Sequence, residues 1–139
     1  MKVERIDRIY IYVRDLDKAT RFFTDLFGIE FSEPAEWKEM DVRTSISDLG
    51  IVLAEPLTSN GIVSKTIERR GEGVAMVALK LENLEEAVTE MKSRGISLVG
   101  TLERGGYKAA LFHPKDTCGV MFDLCEYKPQ HPILSVMKL

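Results

Sequence analysis

The residue types that most often act as nucleophiles or bind metals are scarce in this chain. It contains two cysteines, Cys118 and Cys125, and two histidines, His113 and His131. The spacing of the cysteines matches no zinc or redox motif. His113 precedes a proline at a predicted turn, and His131 lies in the C-terminal tail without an evident partner. No histidine stands beside Cys125 to activate its thiol, which favours a small buried hydrophobic side chain.

Polar side chains that could contact a ligand occur on segments that alternate between polar and apolar residues. In residues 5–13 one face of the alternation carries Arg8, Tyr10 and Tyr12, a period typical of a β-strand. The tyrosines can hydrogen-bond to a ligand or stack on it, or they only narrow a cavity. Lys80 lies near the end of a second such segment, where its ammonium meets a phosphate or stays solvated.

These two segments begin the two copies of an internal repeat, which decides the architecture. Corresponding residues lie 68 positions apart and include Arg8 with Met76, Leu16 with Leu84, and Ala19 with Ala87. Each copy has the order strand, helix, further strands. We therefore divide the 139 residues into a first βαβββ module (1–57), a connector (58–72), a second module (73–127) and a tail (128–139).

In the first module the apolar stripe predicts a helix from Leu16 to Phe27, with Asp15 as its N-cap and Gly28 at its left-handed end. A short strand is expected to end at Phe31 and to be followed by a loop through Trp37. Other predicted elements are strands at 5–13, 40–47 and 50–55, and a connector helix at 63–70 that Ser64 or a neighbour caps.

In the second module Asn83 and Glu86 form a capping box for a helix that ends at Gly95. The predicted strands cover residues 73–81, 96–102, 107–112 and 120–126. The tail from Lys128 carries enough apolar residues to dock on its own domain or on a partner subunit.

Composition limits the class of protein. The chain has 45% hydrophobic residues, a net charge of −3 and a pI near 5.5, without the basic cluster that a nucleic-acid partner requires. No apolar run approaches the ~20 residues of a membrane span, and the charged N-terminus is unlike a signal peptide. We therefore expect a cytoplasmic protein with reduced thiols and no disulfide.

Several phrases of the sequence resemble the vicinal oxygen chelate superfamily, which includes glyoxalases, bleomycin-resistance proteins and extradiol dioxygenases. These phrases are Ile-Asp-Arg-Ile at 6–9, Val-Arg-Asp-Leu at 13–16, Leu-Ala-Glu-Pro-Leu at 53–57, Arg-Gly-Glu-Gly-Val at 70–74 and Leu-Phe-His-Pro-Lys at 111–115. Within the superfamily they are most similar to methylmalonyl-CoA epimerases. The resemblance implies an α+β fold in which two βαβββ modules form a curved mixed sheet around a cup, usually in a homodimer.

The resemblance also implies four metal-ligand positions, which this chain fills with Arg8, Val52, Met76 and Asp123. Arginine offers no lone pair to a metal, valine has no ligand atom, and a thioether suits only soft ions. Because only Asp123 could coordinate a divalent ion, we expect no metal and no other cofactor.

If the fold is as implied, Arg8 and Asp123 stand where a metal and its carboxylate ligand would meet, and they could form a bidentate ion pair. One interpretation is that this pair only fills a lost metal site. The other is that Arg8 binds an anionic ligand while Asp123 orients Arg8 or acts as a base, although an adjacent guanidinium weakens a carboxylate as a base.

Three functions remain open from the sequence. The first is a metal-independent relative of the glyoxalases and epimerases that binds a small organic anion or thioester and isomerises or cleaves it. The second is a non-catalytic protein that sequesters its ligand, and the third is a degenerate domain that binds a partner. The predicted ligand contacts are Arg8, Tyr10, Tyr12, Val52, Met76, Met121 and Lys80, with Asp123 and Arg8 as the candidate catalytic pair.

Overall fold

The computed structural model describes residues 1–128. Its elements, in chain order, are β1 (Val3–Tyr12), α1 (Leu16–Phe27), β2 (Ala35–Trp37), β3 (Val42–Ile46), β4 (Ile51–Pro56), α2 (Ile62–Arg70), β5 (Gly73–Leu81), α3 (Leu84–Ser93), β6 (Leu98–Arg104), β7 (Tyr107–Phe112) and β8 (Met121–Glu126). This order confirms the predicted α+β class. The predictions for His131 and for the tail beyond Lys128 lie outside the described residues.

The chain forms two compact units. The C-terminal unit contains residues 1–9 together with the described residues from 75 onward, and the central unit contains residues 10–74. In the C-terminal unit β5 pairs in parallel with β8, β8 pairs antiparallel with β7, and β7 pairs antiparallel with β6. In the central unit β2, β3 and β4 form an antiparallel meander. The strand β1 contributes its first seven residues to one unit and its last three to the other.

The helix of each module begins and packs as its sequence predicts. The Asp15 side chain accepts a hydrogen bond from the backbone of Lys18 at 3.0 Å, and Gly28 ends α1 with a φ of 68°. The Asn83 side chain accepts one from the backbone of Glu86 at 3.0 Å at the start of α3. The core beneath α1 consists of Val13, Leu16 and Leu53, and the core beneath α3 of Leu81, Leu84, Ala87, Met91, Ala110, Phe112 and Leu124.

A glutamate at the end of the last strand of each module supplements these caps. Glu55 Oε1 on β4 accepts the backbone N–H of Leu16 at 3.0 Å, and Glu126 Oε1 on β8 accepts that of Leu84 at 2.8 Å. Both carboxylates thus satisfy the first N–H of a helix, where the helix dipole also favours negative charge.

The structure differs most from the predicted elements between α1 and β3. The strand expected to end at Phe31 is only an isolated bridge between Phe31 and Ser47, and β2 forms instead at 35–37, where a loop was expected. The reason is tertiary: Trp37 pairs with Val42 and is buried, so packing stabilises a strand that the local pattern does not indicate. The cap predicted at Ser64 is also wrong, because α2 begins after Gly61 without a side-chain cap.

Within residues 1–128, none of the three helices has the length and apolarity that a membrane crossing requires.

Candidate functional site

Arg8 and Asp123 meet in the C-terminal unit, which confirms the predicted contact. Arg8 Nη2 lies 3.0 Å from Asp123 Oδ2, and both residues are almost fully buried, with exposures of 1% and 2%. Strand periodicity places them: Arg8 lies on β1, and Asp123 lies on β8 in register with Ala78 of β5.

A second carboxylate, Asp7, shares the guanidinium. Arg8 Nη1 donates to Asp7 Oδ2 while Nη2 donates to Asp123. The two terminal nitrogens therefore contact different carboxylates, and the expected bidentate pairing with Asp123 alone is wrong. Arg8 instead bridges two buried carboxylates, each of which has a side chain exposed by no more than 3%.

Tyr107 completes the surroundings of the guanidinium. Arg8 Nη2 also donates to the Tyr107 hydroxyl, and that hydroxyl lies within hydrogen-bonding distance of Asp123 Oδ2, at 3.4 Å. The guanidinium carbon is 5.1 Å from the centre of the Tyr107 ring, a cation–π distance. We call Arg8, Asp7, Asp123 and Tyr107 the Arg8 cluster.

The turn between β6 and β7 positions Tyr107. Gly105 and Gly106 have φ angles of 54° and 88°, and Arg104 pairs with Tyr107 across them. Positive φ at both central residues identifies a two-residue type I′ hairpin, which glycine adopts without strain. Tyr107 therefore begins β7 at a fixed register and is 1% exposed.

A second layer of hydrogen bonds connects Asp7 to the protein surface. The Tyr127 hydroxyl donates to Asp7 Oδ1 at 2.6 Å and accepts from Arg5 Nη2 at 2.8 Å. Burial, followed by the hydrogen bond to Asp7, raises the pKa of Tyr127. Tyr127 is therefore a permanent donor to Asp7 at ordinary pH.

Lys80 is buried beside this layer. Its ammonium lies 2.9 Å from Glu4 Oε2 and 5.0 Å from the centre of the Tyr127 ring, and the residue is 1% exposed. Of the two alternatives for Lys80, the solvated lysine is therefore wrong. Contact between Lys80 and a ligand phosphate stays a prediction, but it would compete with Glu4.

Both buried cations of this region have carboxylate partners. Arg8 lies between Asp7 and Asp123, and Lys80 pairs with Glu4, whose side chain is 31% exposed. An anion that reached Arg8 would have to displace one of its carboxylates. This pairing favours a structural role for Arg8, while its ligand contact and the catalytic role of Asp123 stay predictions.

The structure places the other predicted ligand contacts in both units. Met76 is the register partner of Met121 on β5 and β8, so these two side chains lie together near Asp123. The central unit holds Tyr10, Tyr12 and Val52, all buried. Cys125 is fully buried, as predicted, and burial raises the pKa of its thiol to about 12.

These residues do not fit a divalent metal. Of the family ligand positions in the C-terminal unit, Arg8 carries a cation, Met76 offers a thioether, and Asp123 Oδ2 already accepts from Arg8. Residues 1–128 contain no group of three His, Cys, Asp or Glu side chains that could hold an ion. The expected independence from metal nevertheless stays a prediction.

Sequence analysis missed Asp7, Tyr107 and Tyr127 at this site. Asp7 neighbours Arg8 on a strand, so alternation assigns it to the opposite face. Tyr107 had a usable signal, since it follows Gly-Gly and begins a strand that is otherwise almost wholly apolar. Tyr127 lies one residue beyond β8, where no strand pattern applies.

The Glu4–Lys80 pair predicts a pH dependence of stability. The hydrogen bond from Lys80 lowers the pKa of Glu4 below its ordinary value of 4.5. A lowered pKa in the folded state gives stability that is present above 4.5 and lost as the pH falls through the folded-state pKa. We therefore expect Glu4→Gln to reduce the melting temperature at neutral pH and to converge with the unsubstituted protein in acid.

Thermal melts between neutral pH and about pH 3 check this prediction. Glu30→Gln is the matched control, because Glu30 is exposed and has no ion pair among the described residues. A melting-temperature difference for Glu4→Gln that stays constant across the range would contradict it.

Comparison with known proteins decides the family. The sequence model of the Glyoxalase/Bleomycin resistance protein/Dioxygenase superfamily matches residues 5–124. This chain belongs to that superfamily. The match covers both modules of the repeat, as the superfamily resemblance of the sequence implied.

Individual known proteins resemble the chain over most of its length. Methylmalonyl-CoA epimerase from mouse mitochondria is 30% identical over 130 residues, which are 88% of this chain and 73% of the relative. The uncharacterised Bacillus subtilis protein YqjC is 29% identical over 132 residues, 91% of this chain and 94% of the relative.

A solved superfamily structure confirms the predicted fold. A variant of Streptomyces coelicolor methylmalonyl-CoA epimerase, in complex with 2-nitronate-propionyl-CoA, superposes with a TM-score of 0.82 at 26% identity. The match covers 91% of this chain and 99% of that one. The glyoxalase-like architecture is therefore conserved at low sequence identity.

Proposed function

We propose that this protein is a metal-independent member of the superfamily that binds a small organic acid or its coenzyme A thioester. The Arg8 cluster supports the metal-independent part of the proposal. A side-chain cation occupies a position where the resemblance implies a metal ligand, and the carboxylate at another such position, Asp123, binds that cation. Positive charge at this point is thus supplied by the chain itself.

The ligand class is supported by what related proteins bind. The Streptomyces coelicolor epimerase variant was solved with 2-nitronate-propionyl-CoA, and another methylmalonyl-CoA epimerase, which superposes with a TM-score of 0.83, was solved with methylmalonyl-CoA and NH4+. Both organic ligands are coenzyme A derivatives. Buried apolar residues such as Met76 and Met121 suit an acyl group better than a free ion.

Calorimetric titration of the protein with methylmalonyl-CoA, coenzyme A and methylmalonate tests this proposal. We expect methylmalonyl-CoA to bind with the same dissociation constant in EDTA and in Co²⁺. The other two compounds show whether the acyl or the nucleotide part provides the affinity. Binding that requires Co²⁺, or no binding of any of the three, would refute the proposal.

Metal content provides an independent prediction. Because Arg8 and Met76 cannot replace the family's metal ligands, we expect the purified protein to lack stoichiometric zinc, nickel or cobalt. Elemental analysis checks this directly. About one ion per chain, retained after dialysis, would show that another donor set holds a metal.

A second candidate is a metal-independent isomerase. The observation in its favour is the 30% identity to mouse methylmalonyl-CoA epimerase across most of this chain. Proton NMR of methylmalonyl-CoA in D₂O distinguishes the two candidates, because an epimerase exchanges the proton on the carbon next to the thioester. Exchange in EDTA supports the isomerase, whereas binding without exchange supports a sequestering protein.

We also propose that the protein is a cytoplasmic homodimer. The two cysteines, Cys118 and Cys125, are both free thiols, as a reducing compartment allows.

A further inference from the structure

Ser45 on β3 carries a buried hydroxyl that makes no hydrogen bond within residues 1–128. The residue is 1% exposed, and its Oγ lacks a donor or acceptor nearby. A hydroxyl that leaves water without finding a partner loses its hydrogen bonds and gains nothing in exchange, so native proteins contain few of them. A water molecule or a ligand is therefore expected to complete Ser45.

The second module shows that the fold does not require this hydroxyl. Ser45 pairs with Leu53 on β4. In the second module, Ala110 pairs with Leu124 on β8. Each leucine lies two residues before the glutamate that caps the helix of its own module. Ser45 and Ala110 thus occupy corresponding positions, and alanine fills one of them without any polar group.

The Ser45 side chain faces a pocket between α1 and the segment that precedes β2. Strand alternation places Ser45 on the same face as Arg43, whose guanidinium lies 3.3 Å from Asp17 of α1. Ser45 therefore points toward α1, and it lines a pocket of about 330 Å³ that lies wholly within the central unit. We call it the Ser45 pocket. Its volume is at the lower end of the range for ligand pockets and suits a small molecule.

Two threonines of α1 add hydrogen-bond acceptors to this pocket. Thr20 Oγ1 donates to the carbonyl of Asp17 at 2.9 Å, and Thr24 Oγ1 donates to that of Ile29 at 2.7 Å. Because each hydroxyl proton is already donated within the chain, these oxygens can only accept further hydrogen bonds. Valine and lysine stand 68 positions further on in α3, so this set of acceptors is particular to the first module.

The rim of the Ser45 pocket is predominantly acidic. Asp25 and Glu33 line it, are exposed, and form no ion pair within residues 1–128. Arg21 is an exposed cation on the same rim. Two carboxylates and the hydroxyl oxygens thus surround one guanidinium. This arrangement favours a ligand with a positively charged donor group.

We infer that the Ser45 pocket binds a small organic ammonium ion. The ammonium group donates to Ser45 and to the threonine oxygens, while Asp25 and Glu33 attract it. Two sources share this chemistry, namely a diamine and an amino acid whose carboxylate contacts Arg21. The site belongs to the central unit and the Arg8 cluster to the C-terminal unit, so the inference does not depend on the proposed function.

NMR titration of the isotope-labelled protein with putrescine and with γ-aminobutyrate tests the inference. Both compounds have a four-carbon chain, and the second carries a carboxylate in place of one ammonium. We expect saturable shifts of amide signals in α1, β3 and the segment between α1 and β2. Tighter binding of putrescine identifies a diamine as the source. Tighter binding of γ-aminobutyrate, lost in Arg21→Gln, identifies an amino acid.

Ser45→Ala should raise the dissociation constant of the tighter ligand about tenfold, because a hydrogen bond to a charged group is lost. Its melting temperature should not fall, since no group of the chain loses a partner. Ser93→Ala, which removes an exposed hydroxyl of α3, is the matched control and should bind normally.

Three results would overturn the inference and leave water as the partner of Ser45. The first is the absence of saturable shifts with both amines. The second is an unchanged dissociation constant in Ser45→Ala. The third is equal binding of the uncharged erythritol, which would show that the positive charge contributes nothing.

Discussion

Replacing Arg8 by methionine is expected to destabilise the protein by ~3–5 kcal/mol, more than any other single change in the Arg8 cluster. The variant leaves Asp7 and Asp123 buried near one another without the cation between them. Asp123→Leu should cost less, because Arg8 keeps Asp7 as a partner. Urea unfolding at neutral pH measures the order of these losses.

The central unit offers a matched control for this prediction. Arg43 also bridges two carboxylates, with Nη1 3.2 Å from Glu55 and Nη2 3.3 Å from Asp17, but its side chain is 28% exposed. Partly solvated pairs contribute little, so Arg43→Met should cost less than about 1 kcal/mol. Equal losses for Arg8→Met and Arg43→Met would show that burial does not determine the value of these bridges.

Removing all the charges of the Arg8 cluster together should recover most of the stability that Arg8→Met loses. The variant carries Asp7→Asn, Arg8→Met and Asp123→Leu, so no buried charge remains without its partner. Buried ion pairs can be replaced by apolar groups at little cost, because the desolvation penalty disappears with the attraction. We expect this triple variant to unfold at a urea concentration close to that of the unsubstituted protein.

The double variant Arg8→Met with Asp123→Leu separates the contribution of Asp7. Asp7 then retains Arg5 at 3.3 Å and Tyr127 as partners, so the double variant should lie between Arg8→Met and the triple variant. A triple variant as unstable as Arg8→Met would mean that the hydrogen bonds and packing of the cluster stabilise the unit, and that the loss in Arg8→Met does not come from unpaired buried charge. Losses that simply add would show that the charges do not interact.

Most of the fold could be predicted because local and global signals agree. Asp15, Gly28 and Asn83 mark the helix ends by chemistry that acts within a few residues, and the structure uses each as predicted. The prediction for the region from Ile29 to Trp37 failed because local and global signals do not agree there. There the strand depends on its pairing with β3, which no local pattern records.

The candidate site was predictable only in part. Strand alternation together with the superfamily resemblance predicts the contact between Arg8 and Asp123. Alternation also predicts, wrongly, that Asp7 and Arg8 lie on opposite faces of the strand and do not contact each other. It describes the direction in which a side chain leaves the backbone, whereas the long arginine side chain reaches beyond its own face. The burial of Lys80 depends on Glu4, 76 residues away, a distance over which sequence patterns carry no information.

The glutamates at the strand ends make the two helix starts independent of each other. Glu55 holds the start of α1, and Glu126 holds the start of α3, each within its own unit. A change in the last strand of one unit would therefore release the first N–H of one helix and leave the other helix unchanged.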